Sequence, residues 1–216
     1  GLGDVLVSRQ WLKGELLRLL QEGFTELSRV DFEDLNGRSQ MMLADILERA
    51  YIQASIPKKL LDFLCTSLHS NQVGKFRCRL KIHKSPEVGR PIANLSRSWL
   101  KPCGDFLCIA LKPVQAEQQF VVQSSAEFID CLQKSWAADF LEEGMQFATI
   151  DANNLYPTID IEHLYKIVSK EVKFHYRRQP RLAELVVQVL YVCLTCQVVE
   201  HDSKYWKCAG LATGFS

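Results

Sequence analysis

The sequence lacks the long apolar runs, low-complexity tracts and internal repeats that would place its 216 residues in a specialised structural class. No apolar stretch approaches the roughly 20 residues that a helix needs to cross a bilayer, so we expect no membrane partner. The first eight residues carry neither a basic segment nor a cleavage signature, and they predict no secretory signal. The sequence also begins without methionine, and we therefore expect it to be a piece of a longer product.

An excess of one charge sign is also missing, because 26 lysines and arginines stand against 25 aspartates and glutamates. A net charge of +1 gives no general argument for a nucleic-acid partner. The distribution is uneven, however, since only Glu87 and Asp105 are acidic between Lys75 and Lys112. Basic and apolar residues alternate from Lys75 to Lys84, which predicts a strand with one cationic face. A solvated charged face is the alternative.

Hydrophobic patterning predicts an α+β fold. Three broad apolar faces predict a helical N-terminal segment over residues 1–70. Residues 71–146 begin with a strand that returns through Arg90 to Leu95 as a β-hairpin, and two helices and a short strand near Phe120 follow. Residues 147–216 are predicted to open with a buried strand and to continue through two helices into a second hairpin.

Eight cysteines are present, and without a secretion signal there is no reason to expect disulfides. Cys193 and Cys196, with His201 and Cys208 downstream, have a spacing that permits a zinc site. The first two lie in an apolar stretch, whereas zinc knuckles normally occupy polar turns. The sequence therefore leaves two interpretations of these cysteines: they bind zinc, or they are buried as small hydrophobic side chains.

The main candidate for chemistry is the stretch from Phe147 to Asp160. Its apolar start predicts a buried strand that ends at Asp151, where a carboxylate is costly unless it has a partner or a metal ion. An ordinary N-cap is the alternative for Asp151. Tyr156 and Pro157 follow, and Asp160 is predicted to cap the next helix.

Two further groups of residues are candidates for binding. Lys81, His83 and Lys84 lie near one end of the first predicted hairpin, with Arg90 across its turn, and such cations can clamp phosphate. The segment from Gly210 to Ser216 contains several small residues, so its backbone is accessible. That suits close approach of another backbone or a ligand, and a flexible terminus is the alternative.

Three of these blocks, in this order, resemble reverse transcriptases, most closely those of Penelope-like retroelements. Leu80-Lys-Ile-His-Lys followed by Arg90-Pro-Ile resembles the fingers hairpin. Ile150-Asp-Ala-Asn-Asn-Leu-Tyr-Pro-Thr-Ile resembles motif A, and Lys204-Tyr-Trp-Lys-Cys-Ala-Gly-Leu-Ala-Thr-Gly-Phe-Ser resembles motif B with the hairpin before it. The resemblance extends from about Pro57 to the last residue.

This resemblance implies the fingers and part of the palm of a right-hand polymerase, and RNA-directed DNA synthesis with Mg²⁺ or Mn²⁺. The implied partners are an RNA template, a DNA primer and deoxynucleoside triphosphates. Asp151 would bridge both metal ions, and the carbonyl of Ala152 would be a further ligand. Tyr156 would lie under the sugar and favour deoxynucleotides, with plain packing as its alternative role.

The same resemblance implies roles for the cations and the glycines. Lys81 and Arg90 would hold the triphosphate and offset its charge as pyrophosphate leaves. Gly210 and Gly214 would let the template and the nascent base pair approach the backbone.

The sequence departs from the family in its second carboxylate block, motif C, which should follow motif B and does not occur in these 216 residues. One carboxylate cannot organise two metal ions. We therefore expect an incomplete polymerase with negligible activity, and a catalytically inactive nucleic-acid-binding remnant of a retroelement is the alternative. Lineage suggests the nucleus or the cytoplasm, and the oligomeric state is not predicted.

Overall fold

The computed structural model describes residues 7–81, 88–118, 121–137, 148–152 and 155–212, with only the backbone described at 135–137. It has the α+β fold that the sequence predicts. Within these ranges the elements are α1 (Arg9–Gly23), β1 (Phe24–Leu27), α2 (Arg29–Ile52), α3 (Lys58–Cys65), β2 (Gly74–Lys81), β3 (Val88–Asn94), α4 (Lys101–Ala116), α5 (Ser125–Ala137), α6 (Leu155–Thr158), α7 (Ile161–His175), α8 (Pro180–Thr195), β4 (Val198–His201) and β5 (Lys204–Cys208).

Several helices begin where a short polar side chain satisfies a backbone N–H that has no partner inside the helix. Ser8 accepts a hydrogen bond from the N–H of Trp11, and Ser28 accepts one from Asp31. Asp160 accepts one from the N–H of His163 at 3.0 Å, which confirms its predicted role as a cap. None of the helices in the described ranges is both long enough and apolar enough to span a membrane.

The five strands form one sheet in the order β1-β5-β4-β2-β3, in which only the pairing of β2 with β4 is parallel. Both predicted hairpins are confirmed, and they share this sheet. The tight turn between β4 and β5 places Asp202 and Ser203 at positive φ, as a two-residue hairpin loop of type I′ requires. Strand β1 was not predicted, because its four residues form a strand only through pairing with β5.

Helices cover the two faces of the sheet at different places. Helix α1 packs on one face, where Leu19 and Leu20 meet Phe76, Val199 and Trp206. Helix α2 packs on the opposite face near β4 and β5, where Phe32 meets Val198 and Tyr205. The remaining helices enclose a second core around Trp99, which lies between α2, α3, α4, α7 and α8. Among the described helices, none lies over the other face of the β2–β3 hairpin.

Two predicted strands are wrong in the parts that the structure describes. Residues 148–150 have no regular structure, and Ile150 is 96% exposed, so no buried strand leads to Asp151. Val121 and Val122 are likewise outside any strand. Phe120 and Phe147 lie outside the described residues. The reason for both errors is that an apolar run becomes a strand only when a neighbouring strand pairs with it, and local sequence does not report that neighbour.

Candidate functional site

The outer face of the β2–β3 hairpin carries a row of cations. In the register of the hairpin, Arg79 lies opposite Arg90 and Lys81 lies opposite Val88. Because side chains alternate between the faces of a sheet, Lys75, Arg77, Arg79 and Lys81 share one face, and Arg90 joins them from β3. All except Lys81, which is half-buried, are exposed. We call this set of five residues the cationic face.

Charge within the cationic face is only partly neutralised. Lys75 forms an ion pair with Glu200 of β4 at 2.6 Å. No ion pair links Arg77, Arg79, Lys81 or Arg90 to a carboxylate in the described parts of the chain. Like charges directly opposite each other on neighbouring strands are destabilising, and Arg79 and Arg90 are in this position. An anion bound between Arg79 and Arg90 would therefore relieve their repulsion and stabilise the protein.

The sequence-predicted pair Lys81 and Arg90 does meet on this face. Lys81 is the diagonal cross-strand neighbour of Arg90. Residues in this relationship are about 7–8 Å apart, a distance that long side chains can span. His83 and Lys84, which were also predicted to contribute, lie outside the described residues.

The back of the hairpin is held by α1. Glu15 accepts a hydrogen bond from the backbone N–H of Gly89 at 2.6 Å, and it also forms a two-pronged ion pair with Arg18. The hydrogen bond from Arg18 is the main cause that lowers the pKa of Glu15 below its ordinary value. A Cβ at Gly89 would lie 2.2 Å from the sulfur of Cys78, so this contact requires glycine.

The predicted metal ligands are not in the environment that the sequence suggested. Asp151 and Ala152 lie in an exposed segment without regular structure. Asp151 makes no hydrogen bond or ion pair with any residue that the structure describes. Tyr156 lies in the short helix α6 rather than at a strand end, and 46% of its surface is exposed.

Helix α6 and the segment after β5 meet through their backbones. The N–H of Leu211 donates to the carbonyl of Tyr156 at 2.8 Å. A Cβ at Gly210 would lie 2.5 Å from the carbonyl oxygens of Tyr156 and Pro157. The missing side chain of Gly210 is therefore used for close approach by this chain's own backbone. Gly214 lies outside the described residues.

A buried glutamine that the sequence interpretation overlooked holds the segment after β5 in place. The side-chain amide of Gln197 donates to the carbonyl of Leu194 at 2.9 Å and accepts from the N–H of Ala212 at 2.7 Å. Only 2% of Gln197 is exposed. The sequence signal for this role is a glutamine within an apolar run, between Cys196 and Val198. Such a run is expected to be buried, and a buried amide must form hydrogen bonds.

Arg79 and Arg90 lie far along the sheet from the Tyr156–Gly210 contact. Gly74 of β2 is level with Val199 of β4, which in turn is level with Trp206 of β5. Arg79 is five residues beyond Gly74 in one direction, and Cys208 is two residues beyond Trp206 in the other direction. The two residues are therefore seven residue steps apart along the strands. At 3.3 Å per residue the separation is ~23 Å. The structure thus brings Lys81 to Arg90 and Tyr156 to Gly210, but it does not bring one pair to the other.

The residues present do not fit the two-metal centre that the resemblance implies. No group of three or more histidine, cysteine, aspartate or glutamate side chains is placed to hold a metal ion in the described ranges. Asp151 is exposed and has no second carboxylate beside it there. A lone exposed carboxylate does not fix the geometry of two divalent ions.

The zinc alternative is wrong for the same reason, since its four residues are all described and do not assemble into a site. A hydrogen bond with the thiol of Cys103, together with burial, holds the pKa of Cys193 well above its ordinary value. Burial also raises the pKa of Cys196 and of Cys208.

Comparison with protein-family models, with curated proteins and with solved structures finds no match to this chain.

Proposed function

We propose that this chain binds nucleic acid along the phosphate backbone, using the cationic face of the β2–β3 hairpin. The observation that carries the proposal is the directly opposed pair Arg79 and Arg90, which has no acidic partner in the described residues. Repulsion between the two arginines lowers the stability of the free protein. An anion placed between the two guanidinium groups would be attracted to both and would remove this destabilisation.

The spacing of the cations suits a linear anionic polymer. Alternate residues of a strand are separated by about 7 Å, so Arg77, Arg79 and Lys81 present one cation at each such step. A row of this kind can follow successive phosphates, whereas a compact anion would use only one or two of them. Nucleic-acid backbones are recognised mainly by arginine and lysine, without regard to base sequence.

For the lineage, we propose the reverse transcriptases, with RNA-directed DNA synthesis as the parent activity. The support is the fixed order of three sequence blocks that resemble the fingers hairpin, motif A and motif B. In this proposal the chain itself binds RNA or DNA and does not synthesise DNA, because its described carboxylates do not gather at a metal site.

Binding can be tested by fluorescence anisotropy with a short RNA and its DNA equivalent over a range of salt concentrations. We expect affinity to fall as salt rises, because bound counterions are released from the phosphates. Arg79→Ala or Arg90→Ala should weaken binding by roughly tenfold and lower the salt slope by about one. The matched control is Arg178→Ala, since Arg178 is exposed after α7 and away from the sheet. Salt-independent binding, or an equal loss in the control, would contradict the proposal.

The absence of synthesis can be tested by primer extension with magnesium and with manganese. We expect no extension by the wild-type chain. Extension that disappears in Asp151→Ala would overturn this part of the proposal and would restore the polymerase role of Asp151.

A further inference from the structure

A polar cleft of 390 Å³ lies where the first half of α2, β5 and the segment before β2 meet. Arg29, Asn36, Gly37 and Gln40 line it from α2, Tyr205 lines it from β5, and Asn71 lines it from the segment before β2. We call it the α2–β5 cleft. Its volume is within the range of about 300–1,000 Å³ that is typical of small-molecule sites. It lies on the same side of the sheet as the cationic face, because Tyr205 and Lys75 are both level with Glu200 on that side.

Gly37 is the feature of this cleft that the fold itself does not explain. It lies in the middle of the 24-residue helix α2, where glycine is destabilising relative to alanine. A Cβ at Gly37 would meet nothing within 4 Å. Packing inside the described chain therefore does not require glycine here, and its missing side chain keeps the wall of the cleft open.

The polar groups of the cleft are partly used and partly free. Asn36 is buried and its carbonyl accepts from the indole N–H of Trp99 at 2.6 Å, which fixes the amide in the floor. The amide nitrogen of Gln40 donates to the carbonyl of Ser70 at 2.8 Å. The carbonyl of Gln40 and the amide nitrogen of Asn71 have no hydrogen bond from or to any described residue. The carbonyl of Gln40 and the amide NH2 of Asn71 thus remain for a ligand.

An aromatic wall completes the cleft. The ring of Tyr205 stacks on Phe32 with 3.8 Å between centroids and 8° between planes. Tyr205 also borders a second cleft of 430 Å³ next to the first. Phe32 thus occupies one face of the Tyr205 ring, and the part of the ring that lines the cleft, beside an amide donor and an amide acceptor, matches a planar heterocycle with polar edges.

The charged residues that line the α2–β5 cleft are Arg29 and Glu33. Arg29 pairs with Glu33 at 2.9 Å. Glu26, Glu200 and Lys204 line the neighbouring cleft, where Lys204 pairs with Glu26 at 2.8 Å and Glu200 pairs with Lys75 at 2.6 Å. A phosphate would meet carboxylates here and gain little, whereas a neutral nucleobase would meet no repulsion.

We infer that the α2–β5 cleft receives an unpaired nucleobase of the strand whose phosphates follow the cationic face. The inference rests on the proposed function. The register places Tyr205 level with Lys75, at the start of the row that continues to Arg77 and Arg79. A single strand that lies along this row brings a base to Tyr205 without leaving the face. The chain then holds single strands by stacking as well as by charge, and it prefers them to a duplex, whose bases are already paired.

The test compares a short single-stranded RNA with a strand of the same length that lacks every base, by fluorescence anisotropy. Gly37→Leu fills the cleft, and Gly14→Leu is the matched control, because Gly14 is also in mid-helix with open space around it but lies on α1. Asn71→Ala, at an exposed position, removes the free donor without touching a helix. Urea denaturation of each variant confirms that it is folded.

We expect the strand with bases to bind roughly tenfold tighter than the abasic strand, since stacking one base contributes an effect of this order. Gly37→Leu should abolish the preference and leave abasic binding and its salt dependence unchanged, and Asn71→Ala should reduce the preference. Gly14→Leu should behave as wild type. Equal binding of the two strands, or a preference that survives Gly37→Leu, overturns the inference while salt-dependent binding sensitive to Arg79→Ala keeps the proposed function. Loss of all salt-dependent binding overturns both.

Discussion

The carboxylate of Glu15 on α1 accepts a hydrogen bond from the backbone N–H of Gly89 on β3, with 2.6 Å between oxygen and nitrogen. Arg18 holds the same carboxylate from the neighbouring turn of α1. The contact joins residues 74 positions apart and fixes the back of the hairpin against a helix. The cationic face on the other side is therefore presented on a supported strand pair.

Glu15 should make stability depend on acid pH. Its folded-state pKa is lowered from 4.5, first by the hydrogen bond from Arg18 and also by that from Gly89. The stabilisation is complete above that ordinary value and is lost as pH falls through the lowered pKa. As the pH falls from about 5 to about 3, the free energy of unfolding measured by urea denaturation should therefore decrease more for wild type than for Glu15→Gln. An identical acid profile for the two proteins would show that the contact does not contribute in solution.

Removing one arginine of the opposed pair should stabilise the free protein. Arg90→Thr replaces a like-charge pair with a residue that favours strands, and the free energy of unfolding should rise by about 0.2–1 kcal/mol. The same variant should bind nucleic acid more weakly, so stability and binding change in opposite directions. Urea denaturation and anisotropy measure the two effects. Destabilisation by Arg90→Thr would mean that the arginines do not repel each other in the free chain.

Two glycine-to-alanine changes should have opposite signs. Gly210→Ala places a Cβ 2.5 Å from two backbone carbonyl oxygens, which cannot move as a side chain would, and should cost about 1–3 kcal/mol. Gly37→Ala meets open space within α2 and should stabilise by up to about 1 kcal/mol. Chemical denaturation of both variants provides the measurement. Equal effects would place the contact between Gly210 and α6 in doubt.

Gln197→Leu should destabilise the region that joins β4 to the segment after β5. The change leaves the N–H of Ala212 and the carbonyl of Leu194 without their partner in a buried place. The expected loss is about 1–3 kcal/mol in the free energy of unfolding. Gln188→Leu is a suitable control, because the amide of Gln188 bonds only to the exposed neighbour Glu184. Similar losses in the two variants would argue against a special role for Gln197.

Thiol labelling should divide the cysteines by burial. Cys108 and Cys131 are exposed and should react rapidly with an aromatic disulfide reagent in the native protein. The four buried cysteines, Cys103, Cys193, Cys196 and Cys208, should react only on unfolding, because the reagent cannot reach a buried thiol in the native protein. Elemental analysis should find no stoichiometric zinc. Rapid labelling of all eight thiols, or one bound zinc per chain, would contradict the structure.

Much of the secondary structure follows from patterns within a few residues. The alternation in Lys75 to Lys81 is a period of two, and it predicted both the strand and the existence of a cationic face. The carboxylate of Asp160, just ahead of a helical period, predicted a cap that the structure confirms. The pattern at 147–150 failed in its described part because no partner strand is available there, and Ile150 is solvent-exposed instead.

The sequence by itself determined which residues alternate, which turns are tight and where helices begin, since these depend on neighbours along the chain. Only the tertiary structure decided that α1 covers one face of the hairpin and that no other helix in the described ranges covers the cations of the opposite face. It alone decided that Gly210 meets the backbone of Tyr156, beyond the end of β5 at Cys208, which lies ~23 Å along the strands from Arg79. It also gathered Gly37, Asn71 and Tyr205 around one cleft. The physical reason is that these relationships depend on sheet order and helix packing, which join residues far apart in the chain.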